Sequence, residues 1–257
     1  MRDFTLQIYD RLCFAIKDSG YNPITFKSYC EGDFDAESNF IIIRHDVDKL
    51  PYNALKMAKI EKQHDILSTY FFRLTKEVFS PKTMIEIEHL GHEIGYHYEV
   101  IDKARGDERK AIKIFERELE KLRNYCNIST ICMHGNPMTP WLNRDLWETH
   151  DFNEYQIIGE PYITINYDEV LYLTDTGRSW KPKSEIKDVA YTNPKFEGII
   201  KDIDSTEKLI QYIRTRSLEN ACINIHPQRW NDEMIPWMKE LLLQNIKNII
   251  KTGIRNL

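Results

Sequence analysis

Short apolar runs alternate with longer stretches of helical periodicity along most of this chain, and no other feature of the sequence restricts the fold as much. The runs lie at residues 40–44, 68–73, 92–96, 130–133 and 221–225. Between them, helical patterns occupy residues 52–63, 81–90, 107–125, 143–149 and 205–215. An amphipathic helix at about residues 3–19 opens the chain and stops at Gly20, and a terminal helix runs from Asp232 onward. Residues 154–196, rich in Tyr, Thr, Gly and Pro, read as strands and loops. Such alternation predicts an α/β fold, with parallel strands covered by helices in a closed barrel or an open sheet. No repeat or low-complexity linker divides the 257 residues, so one domain spanning 1–257 is expected, with the first helix packed on it.

Several of the apolar runs end in a polar packet: "RHDVD" after Ile43, "HYE" after Tyr96, "HGN" after Met133, "DTGR" after Leu173 and "HP" after Ile225. In parallel α/β folds the carboxyl ends of the strands open onto one rim, where binding and catalytic sites are built. Packets far apart in sequence are therefore expected to meet there.

Each packet has a bland explanation beside the chemical one. Asp46 and Asp48 stand two apart, so extended backbone turns both carboxylates the same way, an arrangement that a cation relieves. The alternative is a loop whose aspartates cap the helix beginning near Pro51. His97, His134 and His226 follow their strands at equivalent positions; any one alone reads as a hydrogen-bonded structural histidine, but three with two aspartates suit a divalent metal with oxygen and imidazole ligands. Arg178 beside Asp175 is able to orient a carboxylate, and Trp180 and Trp230 to stack on a sugar; a loop ion pair and buried indoles explain them equally well. Arg44 is placed to pair with Asp46 or with a substrate anion. His64, His89, His92 and His150 read as structural or solvent-facing.

Composition removes other classes. Thirty-five Lys and Arg against 40 acids give a net charge of −5, so no phosphate-tracking nucleic-acid surface is expected. The five cysteines are scattered without a CxxC, which argues against a disulfide framework or a thiolate zinc site. No stretch approaches the roughly 18 apolar residues of a membrane span, and the first helix is interrupted by charges rather than shaped as an export signal. A cytoplasmic protein with a small-molecule or sugar substrate is the expectation.

The packets resemble, in order and spacing, those of the polysaccharide deacetylases (NodB-like, carbohydrate esterase family 4). "RHDVD" is similar to that family's first motif in a D-x-D form, "STYFF" to the strand that follows, "GHEIGYH" to the segment leading into its first metal histidine, and "INIHP" to its last motif. The resemblance spans about Phe40 to Trp230. It implies a distorted (β/α) barrel of about seven strands and metal-dependent removal of an N-acetyl or similar acyl group from an amino sugar; with the cytoplasmic expectation, the substrate is a nucleotide-linked or lipid-linked intermediate of surface-polysaccharide or glycoconjugate assembly. It implies Asp46 as catalytic base, Asp48 and His97 as metal ligands, His226 as general acid, and Asp175, Arg178 and Trp180 as residues that orient the pair and shape the sugar pocket. Zinc is the expected metal, with nickel, cobalt or manganese as alternatives. The family's second metal histidine would fall at position 101, which is Ile here. Catalytic zinc takes three protein ligands, so His134 is expected to complete the set, with Glu99 as runner-up. A sugar-binding or scaffolding protein that has lost its metal, and a metal amidohydrolase of a non-sugar amide, are the rival expectations.

Overall fold

The computed structural model describes residues 2–136, 138–181 and 193–255, with 247–255 as backbone. In chain order the elements are α1 (Leu6–Asp18), β1 (Asn22–Ile24), α2 (Phe26–Glu31), β2 (Phe40–Val47), α3 (Pro51–Gln63), β3 (Thr69–Phe72), α4 (Pro81–His89), β4 (Glu93–Tyr98), α5 (Val100–Ala104), α6 (Glu108–Arg123) and β5 (Ile131–Met133). There follow α7 (Pro161–Thr164), β6 (Val170–Thr174), α8 (Glu197–Asp202), α9 (Thr206–Arg214), β7 (Asn220–Ile225) and α10 (Met234–Arg255). The run at 143–149 forms a 3-10 helix, Asn143–Glu148. Of residues 154–196, only α7, β6 and short 3-10 turns are regular, and 182–192 lie outside the described residues.

All pairings in the seven-stranded sheet are parallel, in the order β5-β4-β3-β2-β7-β6, and β1 pairs with the first half of β2. The sheet curls into an open α/β barrel. Among the described residues no ladder joins β5 to β6. Side chains fill part of that seam, where the hydroxyls of Tyr162 and Tyr172 lie 3.5 Å apart.

Strand alternation decides what faces where. In β2, buried at all eight positions, Phe40 and Ile42 join the apolar group inside the barrel, while Ile41, Ile43 and Val47 pack outward against helices. Inside, the ring of Phe71 occupies the space a side chain on β4 would need: a Cβ on Gly95 would sit 2.4 Å from it. Pro51 at the first turn of α3, after Leu50 in the left-handed region, starts that helix without any side-chain cap, so Asp46 and Asp48 are not caps.

Outside the barrel, Glu61 of α3 is fully buried and accepts hydrogen bonds from Tyr9, from Ser68 and Tyr70 at 2.6 Å each, and from His45 Nε2 at 2.6 Å. Burial pushes its carboxyl up, but His45 and the donors more than offset that and hold it at about 2. His92 donates from Nε2 to the Ala58 carbonyl at 3.0 Å, a structural role as expected. No helix among the described residues is long and apolar enough to cross a membrane.

Candidate functional site

Six strand ends deliver polar side chains to one rim. β2 supplies Asp46 and, one residue beyond its end, Asp48. The chain turns there rather than staying extended, the Asp48 N–H donating to the Asp46 carbonyl at 3.0 Å. β3 supplies Arg73, β4 His97 and Glu99, β5 His134, β6 Asp175, and β7 Asn224, His226, Gln228 and Arg229.

Asp48 is the meeting point. Its Oδ1 lies 3.5 Å from His97 Nε2 and 3.5 Å from His134 Nε2, and is buried without a hydrogen-bond partner. These two separations are long for hydrogen bonds and near the roughly 3.4 Å between neighbouring ligand atoms around a tetrahedral zinc with ligands near 2.1 Å, but the three atoms do not all lie within 4.8 Å of one another. Its Oδ2 accepts from Gln228 at 3.3 Å and stands 3.9 Å from His226 Nε2. The imidazoles are prepared for ligation. The Nδ1–H of His97 donates to the Cys132 carbonyl at 2.9 Å, so in the neutral ring the Nε2 lone pair faces Asp48. Burial lowers the pKa of His134 to about 4, keeping it neutral. Burial likewise depresses His97, but Asp46 and Asp48 outweigh it and its pKa is raised, so a proton competes for this ligand.

His134 is held by its backbone. Its N–H donates to the Tyr98 carbonyl at 2.7 Å, and its own carbonyl accepts from Asn143 Nδ2 at 2.9 Å. The Asn143 oxygen also accepts the N–H of Ile101 at 2.9 Å, which joins the start of α5 to the candidate ligand. Ile101 itself is buried in the outer apolar core. Glu99, the runner-up ligand, is engaged by Arg73 at Oε2 and lies 3.4 Å from Lys103 at Oε1. It stands 3.6 Å from Nδ1 of His134, behind the ring rather than beside Asp48.

A second, deeper cluster shares His97: Asp46, His97 and Cys132 bring one ligand atom each within 4.8 Å of one another. Its chemistry suits a cation less well. Burial raises the Cys132 thiol well above its ordinary value, and Asp46 Oδ2 is already taken by Arg44 Nη2 at 2.9 Å and Asn224 Nδ2 at 3.0 Å. The Asp48, His97 and His134 set has the donors a divalent ion prefers, a carboxylate oxygen and a neutral imidazole, in a looser arrangement than the deeper cluster.

Two proton-handling groups flank the rim. Burial pushes Asp46 up, but Arg44, His97 and His226 more than reverse it, leaving the carboxyl below its usual range and ionised, with Oδ1 accepting from the Cys132 thiol at 3.9 Å. Arg44 thus pairs with Asp46 rather than a substrate; its guanidinium also donates to Tyr162 at 2.7 Å and lies 4.8 Å from that ring's centre. On the other side, His226 Nδ1 lies 2.7 Å from Asp175 Oδ1, leaving Nε2 directed toward Asp48. Arg229 at 2.6 Å and Trp230 Nε1 at 2.8 Å complete the Asp175 shell, and its carboxyl sits at about 2 because Arg229 and His226 outweigh burial.

Three expectations require correction. Asp175 takes its cation from Arg229, whereas Arg178, in the left-handed region, lies over the Trp237 ring at 4.3 Å and donates to the Trp237 carbonyl at 2.8 Å. Trp180 is buried against Phe4 and Trp230 and donates to Thr206 at 2.9 Å, so its stacking surface is used by the core. Trp230 is fully buried as well, and its contribution to the site is the N–H that holds Asp175.

Sequence reasoning also missed residues. Arg73 ends "YFFR" as the other packets end their runs, and Asn224 stands two before His226, on the same strand face; both signals were present. Arg229 follows His226 by one tight turn, in "HPQR". Nothing in the sequence marks Tyr162, which reaches Arg44 from the short helix α7. No protein-family model and no curated protein matches this chain.

Proposed function

We propose that this protein is a metal-dependent amidohydrolase that removes an N-acyl group, in the first instance acetyl, from an amino sugar. One observation carries the reading: a buried carboxylate oxygen on Asp48 that accepts no hydrogen bond, with two imidazole Nε2 atoms at 3.5 Å and the Arg73 guanidinium at 3.9 Å. Asp48, His97 and His134 would hold the ion, with zinc favoured by the nitrogen and oxygen donors. A divalent cation there supplies Lewis-acid chemistry, polarising an amide carbonyl and making water acidic enough to lose a proton near neutral pH.

The chain's own groups supply the rest. Asp46 accepts the proton of the attacking water at Oδ1, since Arg44 and Asn224 occupy Oδ2. His226 gives a proton from Nε2 to the departing nitrogen, and Asp175 stabilises the imidazolium and fixes its orientation. An amine leaves poorly unless protonated, and Asp46 and His226 bring the base and the acid to the rim from different strands. With both indoles committed to the core, the choice of a sugar over another amide rests on the motif resemblance. The unpaired cysteines, four of them buried, support a cytoplasmic setting and hence a biosynthetic intermediate as substrate.

Acyl release from nucleotide-linked and lipid-linked N-acetyl amino sugars, followed with and without a chelator, tests the proposal. The expected result is release that the chelator abolishes and added zinc or cobalt restores, with His134→Ala inactive. Stoichiometric absence of metal after purification without chelators, together with no release from any of these substrates, would favour a lapsed sugar-binding protein.

A further inference from the structure

A groove of about 620 Å³ opens between α6 and the loop that joins β3 to α4. A space of this size is within the range that small molecules occupy. Its wall is basic. Lys76 comes from the loop, and Arg117 and Lys121, one helical turn apart and so on one face, come from α6. All three are exposed. Among the described residues, α6 makes its ion pairs through Lys110 and Glu118, and Lys76, Arg117 and Lys121 make none. Lys121 Nζ lies 4.6 Å from the centre of the Phe79 ring, another part of the wall, a contact that holds the ammonium without neutralising it. The acid in the wall, Glu118, is already engaged: it is buried and accepts from Lys103 Nζ at 2.8 and 3.1 Å and from the Tyr96 hydroxyl at 2.5 Å.

Charge selects the ligand. Three unmatched cations on one concave surface repel one another, although the chain as a whole carries a net charge of −5. A ligand with several negative charges relieves that repulsion, and a monoanion leaves most of it in place. Phosphoryl oxygens suit this donor set, since a guanidinium grips two of them in its fork and an ammonium serves as a point charge. Two linked phosphoryl groups spread their charge over a length that allows both the loop and the helix to take part.

Position adds to this. Arg73, whose guanidinium lies 3.9 Å from Asp48 Oδ1, is followed directly by Leu74, which lines the groove. Lys103 ties rim and groove together, donating from Nζ to the Leu74 carbonyl at 3.1 Å and to Glu118 while lying 3.4 Å from Glu99 Oε1. Contacts through Asp48, Arg73, Glu99, Lys103 and Glu118 therefore lead without a break from the candidate metal centre to the groove wall.

We infer that this groove binds the diphosphate group of a small molecule. Binding requires no metal and no catalysis. Where the amino-sugar reading given above also holds, on which this consequence rests, the groove receives the diphosphate that joins the sugar to its nucleoside or polyprenyl carrier.

Isothermal titration calorimetry of the full chain with uridine diphosphate, geranyl diphosphate and inorganic phosphate, in buffer free of divalent metal, tests this without any turnover. The expected result is binding of at least one of the two diphosphates, weakened by salt, with inorganic phosphate at least about tenfold weaker. Binding of uridine diphosphate alone supports the inference with a nucleotide carrier, and of geranyl diphosphate alone with a polyprenyl one. Arg117→Gln and Lys121→Gln should each lower the affinity about fivefold, with near-ultraviolet circular dichroism unchanged because both side chains are exposed and unpaired. His134→Ala should keep the wild-type affinity. Absence of binding by both diphosphates, or equal affinity for inorganic phosphate, overturns the inference. So does binding that the Arg117 and Lys121 variants retain in full, or that His134→Ala abolishes, since the phosphates would then sit elsewhere. Because no acyl release is read, failure here leaves the metal-centre proposal standing, and failure of that proposal leaves this one.

Discussion

Asp175→Asn changes one oxygen to a nitrogen and leaves the volume of the side chain intact, so its effects report charge and hydrogen bonding rather than packing. The carboxylate is fully buried and is approached by the His226 ring and backbone N–H, Arg229 and Trp230. Two routes give the size of the loss. The carboxyl is lowered from 3.8 to about 2, a differential stabilisation of about 2 kcal/mol. Removing one member of a buried ion pair strands the other, here Arg229, at a cost of about 3–5 kcal/mol. A destabilisation of about 2–5 kcal/mol is therefore expected in urea melts at neutral pH. The pH dependence follows from the sign: a carboxyl whose pKa is lower in the folded state contributes fully above its unfolded value of 3.8, and loses that contribution as pH falls toward about 2. Wild type should lose stability across that window by about 2 kcal/mol more than the variant. A double-mutant cycle with Arg229→Met isolates the pair, and a coupling of about 2 kcal/mol is expected. A variant within about 0.5 kcal/mol of wild type, or a cycle that is simply additive, would refute the assignment of Asp175 as an ionised, charge-paired anchor for His226.

Cobalt titration followed by visible absorption should show Asp48→Asn and His134→Ala binding at least about a hundredfold more weakly, and Glu99→Gln about tenfold, as befits a group behind the ring rather than a ligand. Because His97 is raised above its ordinary pKa, metal affinity in the same assay should fall as pH drops through neutrality, with a proton released on binding. Gly95→Ala should cost about 1–3 kcal/mol in thermal or urea melts, since its Cβ meets the Phe71 ring at 2.4 Å, and Phe71→Leu in the same chain should return part of the loss. Glu61→Gln should destabilise by about 3 kcal/mol at neutral pH; wild type should lose that increment in acid, between the carboxyl's ordinary 4.5 and about 2.

The order of strands and helices was legible because periodicity survives in the sequence: β3, β4, β5 and β7 coincide with apolar runs to within two residues at either end, and β2 continues three residues past its run. The short elements β1, α2, α5 and α8 were not, because a few residues hold no full period and their structure comes from tertiary contacts such as β1 against β2. Convergence of Asp46, Asp48, His97, His134 and His226 was readable from strand-end position alone, since parallel strands leave no choice of rim. Partner choice was not. Arg178 stands three residues after Asp175 but is drawn to Trp237, while Arg229 arrives from another strand; proximity in sequence carried no information about which guanidinium the carboxylate would meet. The indoles failed for a similar reason: stacking on a sugar and packing in a core call for the same residue type, and only burial separates them.

Arg44 is wholly enclosed beneath Asp46, and among the described residues its one ion pair is the 2.9 Å contact with that carboxylate. Positions 44 and 46 therefore change as a unit or not at all: a chain that gave up the acid would inherit a stranded cation in the middle of its barrel. The experimental consequence is that Asp46→Asn is a poor silent mutant. It removes a proton acceptor and unbalances the interior together, so a loss of acyl release in that variant mixes chemistry with folding, and Asp46→Asn in an Arg44→Met background is the cleaner comparison.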